Sequence, residues 1–345
     1  MPASSPPPMP SWNWSAALPA GPRRLEQPVV LLRLDGPDTL RFLHGQSSQD
    51  LALAQPGAWL STCCITPTAR LMALAEVLVD GQGAWLVITA GDAAAVRAAL
   101  DRVLFPADAV QLGVLEEALW LEPVGADQAS PGAHSPSWEP LQAGGGWRLG
   151  PVAVLPAGAP LPADLASLAP LTEAERQRRR IALGLPAAGA EISGDTNPFE
   201  LGLAERVSLA KGCYVGQETL ARLATYDGVK QQLRRWFTPA SPGPGAGAPG
   251  PGNTLRDAEG QRAGQVTSAL ALPKGEGWIG LALVRRAALE QEQLLCATNG
   301  ADAAGADATG ADATAGAEAP AAGALQLQLS RPELFVAPPV GAGGG

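Results

Sequence analysis

Lys211-Gly212-Cys213-Tyr214-Val215-Gly216-Gln217-Glu218, running on through Thr219-Leu220-Ala221-Arg222-Leu223, is the most information-dense stretch of this 345-residue chain. Two glycines, five and one positions before Gln217, allow a tight turn and close backbone approach, and the residues from about Gly216 onward are helix formers with apolar spacing. The spacing predicts a loop that runs into a helix, with Cys213 just ahead of the helix N-terminus. Free amides and the helix dipole favour an anion there, and Lys211 and Arg222 add positive charge, the setting in which reactive thiols occur. A lone cysteine is more often a small hydrophobe in a turn. Lys, Gly, Tyr, Gly, Gln and Glu together are nevertheless an odd way to fill a mere turn, so Cys213 is read as a functional thiol.

Working outward, residues 29–34 form a short apolar run that ends at Asp35-Gly36, a strand followed by a turn. Pro37 and Asp38 open a helical stretch over 39–44 that stops at Gly45. Strand-like runs follow at 71–79 and 84–89, and Asp92 is placed to cap a helix whose Val96, Leu100, Val103 and Leu104 share a face. Cys63-Cys64 falls in a further strand, with one thiol directed to the core. Segments 125–146 and 151–162 are rich in Gly, Pro, Ala and Ser and read as connections. Thr172-Glu173-Ala174-Glu175 is a capping box opening a helix that runs to Leu183 and stops at Gly184. Arg178, Arg179 and Arg180 near its end suit the helix dipole, and His44 suits the end of the earlier helix in the same way. Beyond a Pro/Gly/Ala-rich linker at 241–252, runs at 263–270, 277–284, 324–330 and 333–337 predict a small closing β-barrel or sandwich. The G-A-D-A repeats of 297–323 read as a disordered insertion in a hairpin of that barrel. The pattern is α+β. The expected organisation is a disordered leader over 1–28, an N-terminal α+β lobe over 29–170, a middle segment over 171–240 that completes the core and carries the cysteine motif, and the barrel over 241–345.

The formal net charge is −9, from 24 Lys+Arg and 33 Asp+Glu, which argues against a protein that coats nucleic acid. The charge is uneven: residues 1–170 hold 8 basic and 15 acidic side chains, 171–240 hold 10 and 8, and 241–345 hold 6 and 10. Only the middle segment is net basic. Cys63, Cys64, Cys213 and Cys296 form no C-x-x-C pair and no metal-binding spacing, and two adjacent cysteines favour a reducing compartment over a disulfide framework. The Pro/Ser-rich N-terminus lacks the basic and apolar regions of a signal peptide, and no run of ~18 apolar residues would span a membrane. The expectation is a cytoplasmic protein, monomeric and free of membrane contact.

The octapeptide Lys211–Glu218, followed by Arg222, resembles the signature of the YgfZ-type folate-binding proteins, relatives of the glycine cleavage T-protein (aminomethyltransferase). The resemblance extends through Gly36-Pro37-Asp38 to the turn Gly45-Gln46-Ser47-Ser48-Gln49-Asp50. It continues through Asn197-Pro198-Phe199-Glu200-Leu201-Gly202-Leu203 and Gly280-Leu281-Ala282, covering most of the chain from Val29 to Pro338. It implies a three-lobed arrangement around a central channel that holds tetrahydrofolate or a related folate, with a small C-terminal β-barrel. It also implies a role in assembling or maintaining iron–sulfur clusters in client enzymes, including tRNA-modifying ones, so that client proteins or the assembly machinery are partners and nucleic acid is not a direct one. Carried over by position, Cys213 is the functional thiol with Lys211 and Arg222 beside it. Tyr214, Gln217, Glu218, Gln46, Asp50 and Glu200 are the expected folate-channel residues, and no metal ligands are expected.

Two positions depart from the relatives' pattern. The T-protein works with an acidic pair after a Gly in its second strand, whereas the matching Ala69-Arg70-Leu71-Met72-Ala73-Leu74 has no carboxylate to manage a proton at a folate nitrogen. In Arg180-Ile181-Ala182-Leu183-Gly184-Leu185-Pro186 an acid common in relatives is replaced by Ala182, with Glu191 or Glu200 as substitutes. A folate-dependent accessory protein is therefore expected over a one-carbon transferase or a thiol-independent scaffold, and over a classical enzyme.

Overall fold

The computed structural model describes residues 12–125, 137–141, 145–239, 247–298 and 324–340. Its first sheet grows from the apolar runs around the N-terminal turn. β1 (Arg23–Asp35), β2 (Trp59–Ile65), β3 (Leu71–Val79), β4 (Gly83–Gly91), β5 (Gln111–Val124), β6 (Glu139–Pro140), β7 (Trp147–Leu149) and β8 (Val152–Pro156) pair in the order β2-β3-β4-β1-β5-β8-β7-β6. β1 is antiparallel to both neighbours, with Leu32 opposite Leu86 of β4 and Leu115 of β5. Alternation divides the side chains between two buried faces. Leu32, Leu34, Ala75 and Val77 pack with Phe42 and Leu43 of α1 (Thr39–Gln46) and with Val96 and Leu100 of α2 (Ala93–Val103). Leu31, Leu78 and Val87 pack on the other face with Trp59, Trp120 and Trp147. Burial on both faces is why β3 reads as an almost unbroken apolar run. Glu76 is its one interruption.

The predicted caps are present. The Asp92 side chain accepts from the Ala95 amide at 2.9 Å to start α2. After the short α3 (Ala163–Ala166), Thr172 and Glu175 bond reciprocally, amide to carboxylate at 2.8 Å and amide to hydroxyl at 3.3 Å, to start α4 (Glu173–Leu183). α5 (Gln217–Thr225) follows the cysteine motif as expected.

β9 (Gln231–Thr238), β10 (Thr254–Arg256), β11 (Arg262–Ala271), β12 (Trp278–Arg285), β13 (Gln293–Cys296) and β14 (Leu325–Ser330) form a closed barrel in the order β10-β11-β12-β9-β14-β13. Its core holds the fully buried Trp236 with Leu255, Val266, Ala282, Val284 and Leu327. Trp236 lies opposite Gly280 in the β9–β12 register, and a Cβ at Gly280 would collide with the Trp236 indole and the Ser268 carbonyl. Gly280 is thus the space the indole occupies, and the indole N–H donates to the Leu281 carbonyl at 3.1 Å.

The chain divides into two compact units, one of Leu18–Arg176, Pro186–Val229 and Val336–Gly345, the other of Met1–Ala17, Gln177–Leu185 and Lys230–Phe335. Four expectations need correction. β1 begins at Arg23, so the sheet takes up the end of the expected leader. The strand hides there because Arg24 is polar in sequence yet buried, its guanidinium donating to the carbonyls of Leu165 and Leu168 at 2.7 and 2.6 Å. Segment 151–162, read as a connection from its composition, holds β8, whose Val152, Ala153, Val154 and Leu155 are all buried. Residues 333–337 are no barrel strand: Pro332 lacks the amide a ladder needs, and only Val336 makes an isolated bridge, to Leu203. The middle segment 171–240, expected to complete the α+β core, does so over Pro186–Val229 with the cysteine motif, whereas Gln177–Leu185 and β9 belong to the barrel unit. The repeats of 299–323 and residues 241–246 of the linker lie outside the described residues.

Candidate functional site

The loop that carries Cys213 is held from below by a buried cation. Helix α1 ends at Gln46, and beyond it the backbone turns so that the carbonyls of His44, Ser47 and Gln49 converge on one point. The Lys211 ammonium occupies it, donating to all three, at 2.7 Å to Ser47 and 2.8 Å to Gln49. Three donors meet three acceptors, which is how a Lys left only 5% exposed keeps its charge satisfied. The Tyr214 ring lies 4.3 Å from the same nitrogen and adds a cation–π contact. Burial pulls the Lys211 pKa down to about 8, and the nearby Asp50 carboxylate acts in the opposite direction.

The backbone on either side is stitched to the same helix end and to the sheet. The Val215 amide donates to the Gly45 carbonyl at 3.0 Å, and the Gln217 side chain donates to the Lys211 carbonyl at 3.4 Å. Ser48 exchanges bonds with Cys63 of β2, its amide donating at 3.1 Å to the Cys63 carbonyl and its hydroxyl accepting at 2.9 Å from the Cys63 amide, while its own carbonyl accepts from Ser208. Gly216 is the helix N-cap at φ +76°, and a Cβ there would come within 2.8 Å of the Thr66 carbonyl oxygen and 2.9 Å of the Ile65 side chain. Glycine is required by both the left-handed backbone and the close approach. Pinned in this way, the loop presents Cys213 to solvent, whereas Cys63, Cys64 and Cys296 are buried.

The remaining predicted residues fall into three groups. Tyr214 is buried, and among the described residues its hydroxyl has no hydrogen-bond partner. Burial and the neighbouring Cys63 push its pKa up to about 12. Glu218 and Arg222 pair with each other at 2.8 Å on the outer side of α5, with side chains 80% and 71% exposed. Gln46, Asp50 and Glu200 belong to the turns. Gln46 closes α1, Asp50 accepts from the Ala52 amide at 3.1 Å and sits 3.3 Å from His44 Nδ1, and the buried Glu200 accepts from the Asn197 amide at 3.0 Å. Glu191 and Glu200, the two acids named as substitutes for Ala182, both receive backbone amides, Glu191 from Ala187 at 3.0 Å.

Sequence reasoning missed one cluster. On the Trp-rich face of the sheet the Glu76 carboxylate, 3% exposed, accepts from the Trp59 indole at 2.7 Å, the Ser61 hydroxyl at 2.5 Å and Arg206 at 2.9 Å. Its signal was legible: a single Glu in an otherwise apolar nine-residue strand. Positions 69–74 carry no carboxylate, and both oxygens of the one acid further along β3 are engaged. No three His, Cys, Asp or Glu side chains among the described residues gather into a metal-holding group. No described helix is long and apolar enough to cross a membrane.

No family model matches the chain. A chloroplastic Arabidopsis thaliana protein named Putative transferase is 28% identical over 283 residues, a match that takes in 74% of this chain and 63% of that protein. The chain therefore spans under two thirds of that relative's length. Among solved structures, the glycine cleavage system aminomethyltransferase T of Bartonella henselae superposes with a TM-score of 0.65 at 20% identity, over 94% of this chain and 89% of the other. The fold is T-protein-like. The large antiparallel sheet and the closed six-stranded barrel are both part of that likeness.

Proposed function

We propose that this chain is a folate-binding accessory protein on the T-protein-like fold, in which Cys213 is the working thiol and the clients are iron–sulfur enzymes, tRNA-modifying ones among them. The observation that carries the reading is the contrast among the cysteines. Burial pushes Cys63, Cys64 and Cys296 up to about 12, leaving them as inert packing, while Cys213 alone is exposed on a loop immobilised from Lys211 to Gly216. A thiol held in the open at a fixed position suits transfer to or from a partner protein.

The orphaned Tyr214 hydroxyl fits a folate in the same loop, because a polar edge of a pterin would supply the bond that the described residues do not. Folate, when bound, would bring a pterin ring and an anionic glutamate. Lys211 acts here as a positioning residue, since all its protons are spent on backbone carbonyls, and Glu218 and Arg222 form a solvent-facing pair suited to a partner surface. The named transferase relative favours a second reading, one-carbon transfer. Against it stand the missing carboxylate at 69–74 and the fully engaged Glu76, which leave no free acid on β3 to handle a proton.

Two measurements test the proposal. Cys213→Ser is expected to fold normally and bind tetrahydrofolate as the wild type does, yet fail to restore iron–sulfur enzyme activity in a strain lacking the protein; full rescue would remove the thiol from the mechanism. Turnover of an aminomethyl donor to methylene-tetrahydrofolate by the purified chain would establish the transferase reading instead.

A further inference from the structure

The barrel unit contains two arginines brought together with no counterion among the described residues. Arg234 of β9 lies opposite Ala282, so by alternation it shares the face of Trp236 and the barrel core, and it is only partly exposed. Arg331 is the first residue past β14, next in register after the Ser330–Arg235 pair. Both guanidinium groups settle on one aromatic ring: the Arg234 and Arg331 Cζ atoms lie 5.6 and 5.0 Å from the centroid of the buried Phe335. Like charges facing across a strand pair repel, and Arg331 indeed pushes the Arg234 pKa down, in the same direction as burial.

Neither arginine has a carboxylate within ion-pair distance among the described residues. Glu290 acts on Arg234 only at longer range. The bonds they do make are to neutral groups. Arg234 donates twice to the Gln232 side-chain oxygen and once to the Leu233 carbonyl, and Arg331 donates once to the Phe335 carbonyl at 2.9 Å. A guanidinium has five N–H donors. Two remain on Arg234 and four on Arg331. Further positive charge stands at the same end of the barrel, where Arg285 pairs with Gln231 and the Arg286 amide donates to the Lys230 carbonyl.

We propose that Arg234 and Arg331 form an oxyanion site on the barrel, taking a phosphate or carboxylate group against the Phe335 ring. Two forked donors suit an oxyanion better than a point charge does, and a ligand that neutralises a repelling pair removes an unfavourable interaction on binding. The site lies wholly within the barrel unit and does not rest on the folate reading. A failure at either site leaves the other untouched.

Titration calorimetry on the full chain tests it, with inorganic phosphate and succinate as separate probes in a chloride buffer of matched ionic strength. Saturable binding of at least one anion is expected, weakened at least tenfold in Arg331→Gln and likewise in Arg234→Gln. The tighter of the two anions assigns the ligand as phosphate or carboxylate. Absence of saturable binding of both, or equal affinity in Arg331→Gln, would overturn the proposal. Because Arg331 is exposed, that variant is expected to fold, and its circular dichroism checks this independently.

Discussion

Three protons on Lys211 meet three carbonyls, and this makes the residue the key to its loop. Its pKa is about 8 in the fold against an ordinary 10.5. The folded state therefore binds fewer protons than the unfolded chain between those values, and this group makes stability rise with pH across roughly 8 to 10.5. Lys211→Met is expected to remove that rise, seen as a flatter difference in urea midpoint between pH 8 and pH 10. Below pH 8 it should also cost about 2–4 kcal/mol, because the carbonyls lose their donor, and the gap to the wild type should widen as the pH rises towards 10. Tyr214→Phe should move stability the other way. Deleting a buried hydroxyl that lacks a partner relieves a penalty of about 1 kcal/mol, and thermal melts of the ligand-free protein should register a small increase. If folate uses that hydroxyl, the same variant will bind tetrahydrofolate more weakly.

At the scale of elements, α5 depends on the residue that caps it, Gly216. Gly216→Ala adds a side chain in a left-handed conformation against the Thr66 carbonyl, and a loss of about 2 kcal/mol or more is expected in chemical denaturation. The β2–β3 turn would have to move to relieve it, so the variant should also change the reactivity of Cys213. Breaking the buried group on β3 is a sharper test of the sheet. Glu76→Ala leaves Arg206 facing an emptied acceptor site, and losses on the order of 3–5 kcal/mol accompany removal of one partner from a buried ion pair. Arg222→Ala, by contrast, removes an exposed i,i+4 pair worth about 0.3–0.5 kcal/mol, so a large effect of that substitution on any activity would reflect binding rather than folding.

For the whole molecule, burial sorts the four cysteines into one exposed and three enclosed. A colorimetric thiol reagent is expected to titrate one thiol rapidly in the native protein and all four in denaturant, with the fast one absent in Cys213→Ser. Two fast thiols in the native state would contradict the packing of β2 or of the barrel. The enclosed cysteines are divided between units, Cys63 and Cys64 in the large sheet and Cys296 in the barrel. Their exposure during gradual denaturation therefore reports the opening of each unit separately.

Patterns of short range were legible in the chain itself. The cap at Asp92 and the capping box at Thr172, the apolar run of β3, the loop-to-helix transition at Gly216 and the barrel strands β11, β12 and β14 follow from neighbours a few residues apart, whose backbone bonds and periodicity are local. Tertiary structure decided what depended on distant partners. Arg24 becomes part of a strand because Leu165 and Leu168 offer carbonyls to it, Lys211 becomes a buried clasp because the end of α1 lies beneath it, and β9 joins the barrel rather than the segment that precedes it. Charged side chains carry no local sign of whether they will face water or a set of carbonyls. Desolvation and pairing settle that, and both are properties of the folded chain.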